Sequence, residues 1–259
     1  MILTDTHAHL YLNAFDDDRD TMIAGAFRTG VTRILIPNID QDSLVPMHHL
    51  CNQYPGHLFP MAGLHPTSVR DDFETVLSTI GAGLPGNYVG IGECGIDLYW
   101  DRTFLAHQKM AFRTQLEWSF KHGLPVAIHI RSSFDEVFEV LKSTGHATFK
   151  GVFHCFSGNK TQAAQAIEMG FLLGIGGVVT FKNSGLPKII KDIDPSKIVL
   201  ETDAPFLAPM PYRGKRNESA YLRIVAEKVA ALWGMPIHEA ASITTANAVS
   251  LFKKINHHE

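Results

Sequence analysis

The feature that most constrains the fold is an alternation, repeated eight times along 259 residues, of a short apolar run and a segment with helical spacing. The runs have the composition of β-strands, and several of the amphipathic segments between them end on a glycine, as helices commonly do. This pattern predicts an α/β protein, a single-domain TIM (β/α)₈ barrel over residues 1–259. The predicted strands cover residues 2–10, 31–37, 58–66, 88–95, 125–131, 149–156, 171–177 and 197–205.

A doubly wound open sheet is the structural alternative, because it also alternates strands with helices. Such a sheet normally has fewer strands than the eight predicted here. The chain also has no linker rich in proline, glycine or serine that would divide it into two domains. The barrel is therefore the favoured architecture.

Charge and cysteine content limit the possible functions. Lys and Arg total 23 against 26 Asp and Glu, so the formal net charge is −3 and the chain is not a general polyanion binder. The three cysteines Cys51, Cys94 and Cys155 have no CxxC spacing, which is typical of a reducing, cytoplasmic environment. The sequence shows neither a signal-peptide pattern nor a long apolar run, so we predict neither secretion nor a membrane span. His257 and His258 are interpreted as part of a polar tail.

Residues of metal-ligating type stand at the ends of five predicted strands. Because the carboxyl ends of barrel strands meet at one mouth, these side chains are expected to converge. Residues i and i+2 of a strand share a face, so His7 and His9 should both point inward, whereas Cys94 and Cys155 should face the helices. The six candidate ligands are His7, His9, Glu93, His129, His154 and Asp203.

A single histidine at a strand end is usually an ordinary hydrogen-bonded residue, but six such residues on five strands indicate a metal cluster. Four imidazoles and two carboxylates exceed the needs of one ion, so we predict two divalent ions, Mg²⁺, Mn²⁺ or Zn²⁺. Asp5 is predicted to orient an imidazole. The predicted ligands are His7, His9 and Asp203 for the first ion and His129 and His154 for the second, with Glu93 bridging them.

Basic and aromatic residues near the same strand ends predict a phosphate-binding surface. Arg213, Lys215 and Arg216 follow the eighth strand, and Arg131 follows His129 by two positions. His65 ends the third strand, and because the predicted shells leave no place for it, we expect it to contact a ligand or a phosphate oxygen. The adjacent Tyr99 and Trp100 are predicted to stack on bases.

Eight sequence blocks taken together resemble the TatD-related deoxyribonucleases of the amidohydrolase superfamily. They are "DTHAHL", "GLHP", "GECGID", "HIRSSFDE", "FHCFSG", "GIGG", "ETDAPFLAP" and "YRGKRNE", and with the late "TTANAVSLF" they extend over residues 4–252. The resemblance implies a TIM barrel with a divalent-metal centre on the residues named above. It also implies hydrolysis of DNA phosphodiester bonds, as a 3′→5′ exonuclease and sometimes an endonuclease.

The expected reaction is in-line attack on phosphorus by hydroxide held between the ions, with Asp203, Glu93 and His65 as the catalytic residues. DNA is the expected substrate, and nothing in the sequence indicates a membrane or an obligate protein partner. Two alternatives remain open. One is a binuclear hydrolase of a small ester, amide or phosphoester, and the other is a metal-stabilised scaffold that binds a protein.

Overall fold

All eight predicted strands are present in the computed structural model, which describes residues 1–256. They pair in chain order in one parallel sheet, each strand beside the next. The strands are β1 (Leu3–Asp5), β2 (Val31–Pro37), β3 (Leu58–Ala62), β4 (Gly90–Asp97), β5 (Val126–Arg131), β6 (Gly151–Phe153), β7 (Phe171–Ile175) and β8 (Ile198–Leu200).

The ends of the first and last strands close the ring. The Thr6 amide donates to the Leu200 carbonyl at 3.0 Å, and the His9 amide donates to the Ala204 carbonyl at 2.7 Å. Ala8 and Ala204 form an isolated parallel bridge. The chain after β1 therefore runs beside the chain after β8, and this confirms the predicted TIM barrel as a single domain.

Helices cover the outside of the barrel and connect the strands. The predicted glycine stops are observed, for example at Gly123, which ends the longest helix with φ of 64°. The helices are α1 (Arg19–Arg28), α2 (Leu44–Gln53), α3 (Phe73–Gly81), α4 (Leu105–His122), α5 (Phe134–Ser143), α6 (Lys160–Glu168), α7 (Leu186–Ile190), α8 (Leu222–Trp233) and α9 (Ile237–Leu251).

Strand periodicity divides the apolar side chains into two layers. In β2, Ile34 and Ile36 pack against the helices, whereas Leu35 between them points into the barrel. The same alternation in β5 places Ala127 inside and Ile128 outside. His129, two residues after Ala127, is therefore directed into the barrel at the mouth.

The opposite end of the barrel is closed by the C-terminal helix and the residues after it. Ala248 of α9, Phe252 and Ile255 belong to the inner apolar cluster, and Phe252 is fully buried. This plug leaves the carboxyl ends of the strands as the open end, where polar side chains can meet a ligand.

No helix within residues 1–256 has the length and apolarity required to cross a lipid bilayer. His257 and His258, predicted to belong to a polar tail, lie outside the described residues.

Candidate metal centre

The six predicted ligands converge at the mouth of the barrel. His7 and His9 follow β1, Glu93 lies in β4, His129 in β5, and His154 and Asp203 come after β6 and β8. His7, His9, Glu93 and His154 are buried. The donor atoms of His7, His9 and Asp203 lie close enough to share one ion, and so do those of His65, Glu93 and His129.

The first of these groups is formed by the ends of β1 and β8. The Nε2 atoms of His7 and His9 are 3.2 Å apart, and Asp203 Oδ1 lies 4.0 Å from the former and 3.7 Å from the latter. Asp203 has φ of 59°, a strained value for a non-glycine residue. Its amide donates to the His7 carbonyl at 2.9 Å, so pairing between the two strand ends stabilises this conformation.

Glu93 lies between the two groups, and its role as a bridging ligand stays a prediction. Its Oε2 atom is 2.9 Å from His7 Nε2, and its Oε1 atom is 2.6 Å from His129 Nδ1 and 3.3 Å from His65 Nε2. Burial alone would raise the pKa of Glu93, but the surrounding imidazoles of His65, His7 and His154 lower it well below its usual range. Glu93 is therefore ionised and presents one oxygen to each group.

His154 occupies an intermediate position. Its ring stacks on that of His7 with centroids 3.5 Å apart, and its Nε2 atom lies 3.6 Å from Asp203 and 3.7 Å from Glu93. The centroid of His129 is 6.5 Å away. The pairing of His154 with His129 around a second ion stays a prediction, and the structure adds His65 as a further donor beside His129.

Two carboxylates that the sequence argument did not single out lie behind these imidazoles. Asp97 Oδ2 is 2.9 Å from His129 Nε2, and Glu201 Oε1 is 3.0 Å from His154 Nδ1. Burial opposes protonation of both imidazoles, but Asp97 and Glu93 raise the pKa of His129 to about 9, and Glu201 and Glu93 raise that of His154 to about 10. Asp97 therefore orients His129 by a hydrogen bond, and Glu201 polarises His154 as a negative charge at ion-pair distance.

Sequence signals for these two acids were present. Glu201 precedes Asp203 by two positions, and Gly174 makes room for it because a β-carbon there would collide with the Glu201 carboxylate. Asp97 is the last residue of β4 and lies in the block that contains Glu93. The rule that residues i and i+2 of a strand share a face predicted the direction of the histidines, and it was not extended to these two carboxylates.

The donor set fits a divalent cation. Three donor atoms lie within 3.3 Å of one another: His7 Nε2, His9 Nε2 and Glu93 Oε2. One hydrogen atom cannot form hydrogen bonds with all three of them at once. Imidazole nitrogens and carboxylate oxygens with lone pairs directed at one buried point form a site that a cation stabilises. The residues present therefore suit the metal dependence that the sequence predicted.

The predictions for the direction of the Cys155 side chain and for the role of Asp5 were wrong. Cys155 does not face the helices, because β6 ends at Phe153 and Cys155 has φ of 45°; its side chain lines the mouth within reach of His154 and Asp203. Cys94, by contrast, packs in the outer apolar layer as predicted.

Asp5 does not contact an imidazole. It accepts hydrogen bonds from the backbone amides of His7 and Thr202, at 3.3 and 2.9 Å, and from the Thr202 hydroxyl at 2.6 Å. Burial raises the pKa of Asp5 to about 7. This carboxylate therefore ties the end of β1 to the chain after β8, and it positions His7 through the backbone.

Most of the predicted phosphate-binding residues line the same cavity as the metal-type residues, which has a volume of about 850 Å³. Arg131, Arg213 and Lys215 border it together with His65. Arg216 is a correction: its two terminal nitrogens each lie 2.7 Å from a carboxylate oxygen of Asp18, and its guanidinium packs on Phe15. Arg216 therefore holds the loop to the start of α1 and is not placed to bind substrate.

Comparison with known proteins shows the family of this chain. A sequence model of the family described as TatD related DNase matches residues 4–253. The uncharacterised metal-dependent hydrolase YabD of Bacillus subtilis is 38% identical over 97% of this chain and 99% of its own length. The 3′-5′ ssDNA/RNA exonuclease TatD of Salmonella typhimurium is 30% identical, over 97% of this chain and 99% of its own.

Among solved structures, the TatD homologue YJJV from Escherichia coli superposes with a TM-score of 0.91 at 27% identity, covering 97% of this chain and 98% of that one. A hydrolase of the TatD family from Entamoeba histolytica shares the fold at 20% identity, with a TM-score of 0.84 and coverage of 97% and 98%. Sequence and fold agree over nearly the whole chain. This chain belongs to the family of TatD-related DNases and is a metal-dependent hydrolase that acts on ester bonds.

Proposed function

We propose that this hydrolase is a divalent-metal-dependent deoxyribonuclease that degrades single-stranded DNA from its 3′ end. The observation that carries the proposal is a single cavity in which the donor cluster lies beside Arg131, Arg213 and Lys215. The protein is acidic as a whole, so this local concentration of positive charge favours a phosphate-bearing substrate over a neutral one.

The proposed ion ligands are His7, His9 and Asp203 at one position and His129 and His154 at the other, with Glu93 shared between them. His65 lies within reach of the second position. When bound, divalent cations would lower the pKa of a water molecule and neutralise charge on the nonbridging phosphate oxygens. Asp97 and Glu201 would keep the His129 and His154 rings in the orientation that ligation requires.

Asp203 is the proposed proton acceptor. Burial raises its pKa to about 6, although the nearby imidazoles of His154 and His9 act in the opposite direction. As a carboxylate beside the proposed ions, Asp203 can accept the proton that the attacking water loses. Its side chain is 13% exposed and borders the cavity, so a water molecule in the cavity can reach it.

His65 and the basic side chains are proposed to orient the scissile phosphate. Burial lowers the pKa of His65, so its imidazole is neutral and can donate one hydrogen bond to a phosphate oxygen. Arg131, Arg213 and Lys215 would contact the scissile phosphate and the phosphates on its 5′ side. The printed name of the Salmonella relative supports this substrate class, because it describes an exonuclease for single-stranded DNA and RNA.

The test is hydrolysis of single-stranded oligonucleotides labelled at either end, with Mg²⁺, Mn²⁺ or Zn²⁺ and with excess chelator. Wild type should shorten the substrate from the 3′ end only with metal. Glu93→Gln and Asp203→Asn should each lower the rate at least about 100-fold with a cooperative thermal transition, whereas Glu139→Gln, an exposed acid on α5, should not.

Two results would contradict the proposal: no cleavage with any of the three ions, or full cleavage by Glu93→Gln. The alternative hydrolase of a small ester, amide or phosphoester is tested in the same experiment by p-nitrophenyl acetate, p-nitroacetanilide and p-nitrophenyl phosphodiesters. Faster turnover of one of these than of any oligonucleotide would favour it.

A further inference from the structure

Two arginine–aromatic pairs stand on opposite sides of the metal-type cluster. On one side, the Arg131 guanidinium carbon lies 3.9 Å from the ring centroid of Tyr99 and 5.2 Å from that of Trp100. On the other side, the guanidinium carbon of Arg213 lies 4.5 Å from the ring centroid of Phe181. Trp100 follows β4 and Arg213 follows β8, and strands four positions apart in an eight-stranded ring face each other across the mouth.

Both aromatic side chains beside Arg131 are exposed, although its guanidinium covers one face of Tyr99. Tyr99 is 56% exposed and Trp100 is 72% exposed, and their rings meet edge to face at a centroid distance of 4.8 Å. Two adjacent aromatic side chains exposed at the rim of a cavity form an apolar patch of the kind that marks a binding surface. A nucleobase is a suitable partner, since each aromatic–base stack stabilises binding by about 1–3 kcal/mol.

The surroundings of the two pairs differ in charge. Next to Trp100 is a small cavity of about 190 Å³, bordered by the carboxylates of Asp97 and Asp101 and by the guanidinium of Arg70. Next to Arg213 and Phe181 is a larger cavity of about 530 Å³, lined by neutral polar residues that include Ser157, Asn159 and Ser184 and, within residues 1–256, by no carboxylate. Arg70 Nη1 already donates to the carbonyls of Thr67 and Val69, so another phosphate on the Trp100 side would meet the two carboxylates, whereas on the Arg213 side it would meet a guanidinium.

We infer that Tyr99, Trp100 and Arg131 form the subsite for the terminal nucleoside, and that the rest of the strand leaves the metal centre over Arg213 and Phe181. This inference rests on the proposed function and names the subsites of that same cavity. The base of the last nucleotide stacks on Trp100, whose ring Tyr99 meets edge to face, and Arg131 contacts the scissile phosphate. Asp97 and Asp101 exclude a strand that continues beyond the end, so the enzyme removes terminal nucleotides and does not cut internally.

The first experiment compares hydrolysis of oligonucleotides that end in a normal nucleotide or in an abasic sugar. Wild type should prefer the normal end at least about fivefold in kcat/KM, because one stack is lost with the base. In Trp100→Ala and Tyr99→Ala this preference should fall towards one, while in Arg223→Ala, an exposed arginine on α8, it should stay at the wild-type value. An unchanged preference in Trp100→Ala would overturn the inference.

The second experiment tests the direction of the strand. Lengthening the oligonucleotide at its 5′ end should lower KM in wild type. Arg213→Ala should remove this dependence of KM on length. A phosphate added to the terminal nucleotide should slow wild type, and Asp101→Asn should relieve the inhibition. Efficient cleavage of a circular single strand, or no effect of Asp101→Asn on the end-phosphorylated substrate, would contradict the assignment.

Binding separates failure of this inference from failure of the proposed function. In excess chelator, affinity for oligonucleotides with a normal or abasic 3′ end is measured by anisotropy of a label at the 5′ end. Base-dependent binding that Trp100→Ala removes, without hydrolysis in any metal, would support the subsite and reject the nuclease. Hydrolysis with no base dependence would reject the subsite and support the nuclease, and absence of both would reject the two together.

Discussion

The Nε2 atom of His129 lies 2.9 Å from Oδ2 of Asp97, on the opposite edge of the ring from Nδ1, which lies 2.6 Å from Oε1 of Glu93. His154 has the reverse arrangement, with Nδ1 towards Glu201 and Nε2 towards Glu93 and Asp203. Each ring therefore has one carboxylate behind it, hydrogen-bonded to His129 and at ion-pair distance from His154, and each ring presents a different nitrogen to the centre.

The first prediction concerns these supporting acids. Asp97→Asn and Glu201→Gln should each weaken Mn²⁺ or Zn²⁺ binding about 10–100-fold, because an amide polarises an imidazole less than a carboxylate does. Isothermal titration calorimetry measures the dissociation constants. Asp192→Asn, an exposed acid paired with Lys160, is the control and should bind metal as wild type does. Unchanged metal affinity in both test variants would show that neither acid contributes to metal binding.

The second prediction is the pH dependence of the metal-free protein. Compared with an ordinary value of 6.5, the pKa of His129 is raised to about 9 and that of His154 to about 10, chiefly by their carboxylate neighbours acting against burial. A histidine whose pKa is raised by folding stabilises the native state below about 6.5, and this stabilisation is lost as pH rises through the folded value.

The melting temperature of metal-free protein should therefore fall between pH 7 and pH 9. Ions compete with protons for the same nitrogens, so with saturating Mn²⁺ the fall should be smaller or reversed. Differential scanning calorimetry with and without chelator measures both curves. A metal-free melting temperature that rises over this interval would contradict the assigned ion pairs.

The sequence was sufficient to predict the barrel because its periodicity is local. Leu35 between Ile34 and Ile36 already encodes one inward and two outward side chains. The convergence of His7, His9, Glu93 and His129 followed from the same rule, since every strand delivers its carboxyl end to one mouth. Neither result required knowledge of a side-chain rotamer.

The errors arose where regular strand geometry ends. β6 stops at Phe153, so parity could not predict that Cys155 turns into the mouth with φ of 45°. The roles of Arg216 and Asp5 depend on partners far along the chain, Asp18 and Thr202, and no spacing rule brings those residues together.

The third prediction concerns metal removal. If ions bind only the folded state, an ion at about 100 times its dissociation constant stabilises that state by about 2.7 kcal/mol. Denaturant unfolding with excess chelator should therefore give a lower free energy of unfolding than unfolding with Mn²⁺. His7→Ala should abolish most of this difference, and the exposed His49→Ala should preserve it. Equal stability with and without metal would argue against a buried ion site.

The last prediction separates two neighbouring basic residues of the loop after β8. Arg216 is bonded to both carboxylate oxygens of Asp18 and to the Ala14 carbonyl, whereas Lys215 borders the cavity. Lys215→Ala should weaken oligonucleotide binding and reduce the slope of log affinity against log salt by about 1, with an unchanged melting temperature. Arg216→Ala should lower the melting temperature and leave that slope within error of wild type, because its guanidinium is already neutralised. Titration of labelled oligonucleotide between 50 and 200 mM salt, roughly the range over which phosphate contacts are resolved, measures both slopes. A reduced slope in Arg216→Ala alone would mean that Arg216 leaves Asp18 to bind the strand, and would reverse the two roles.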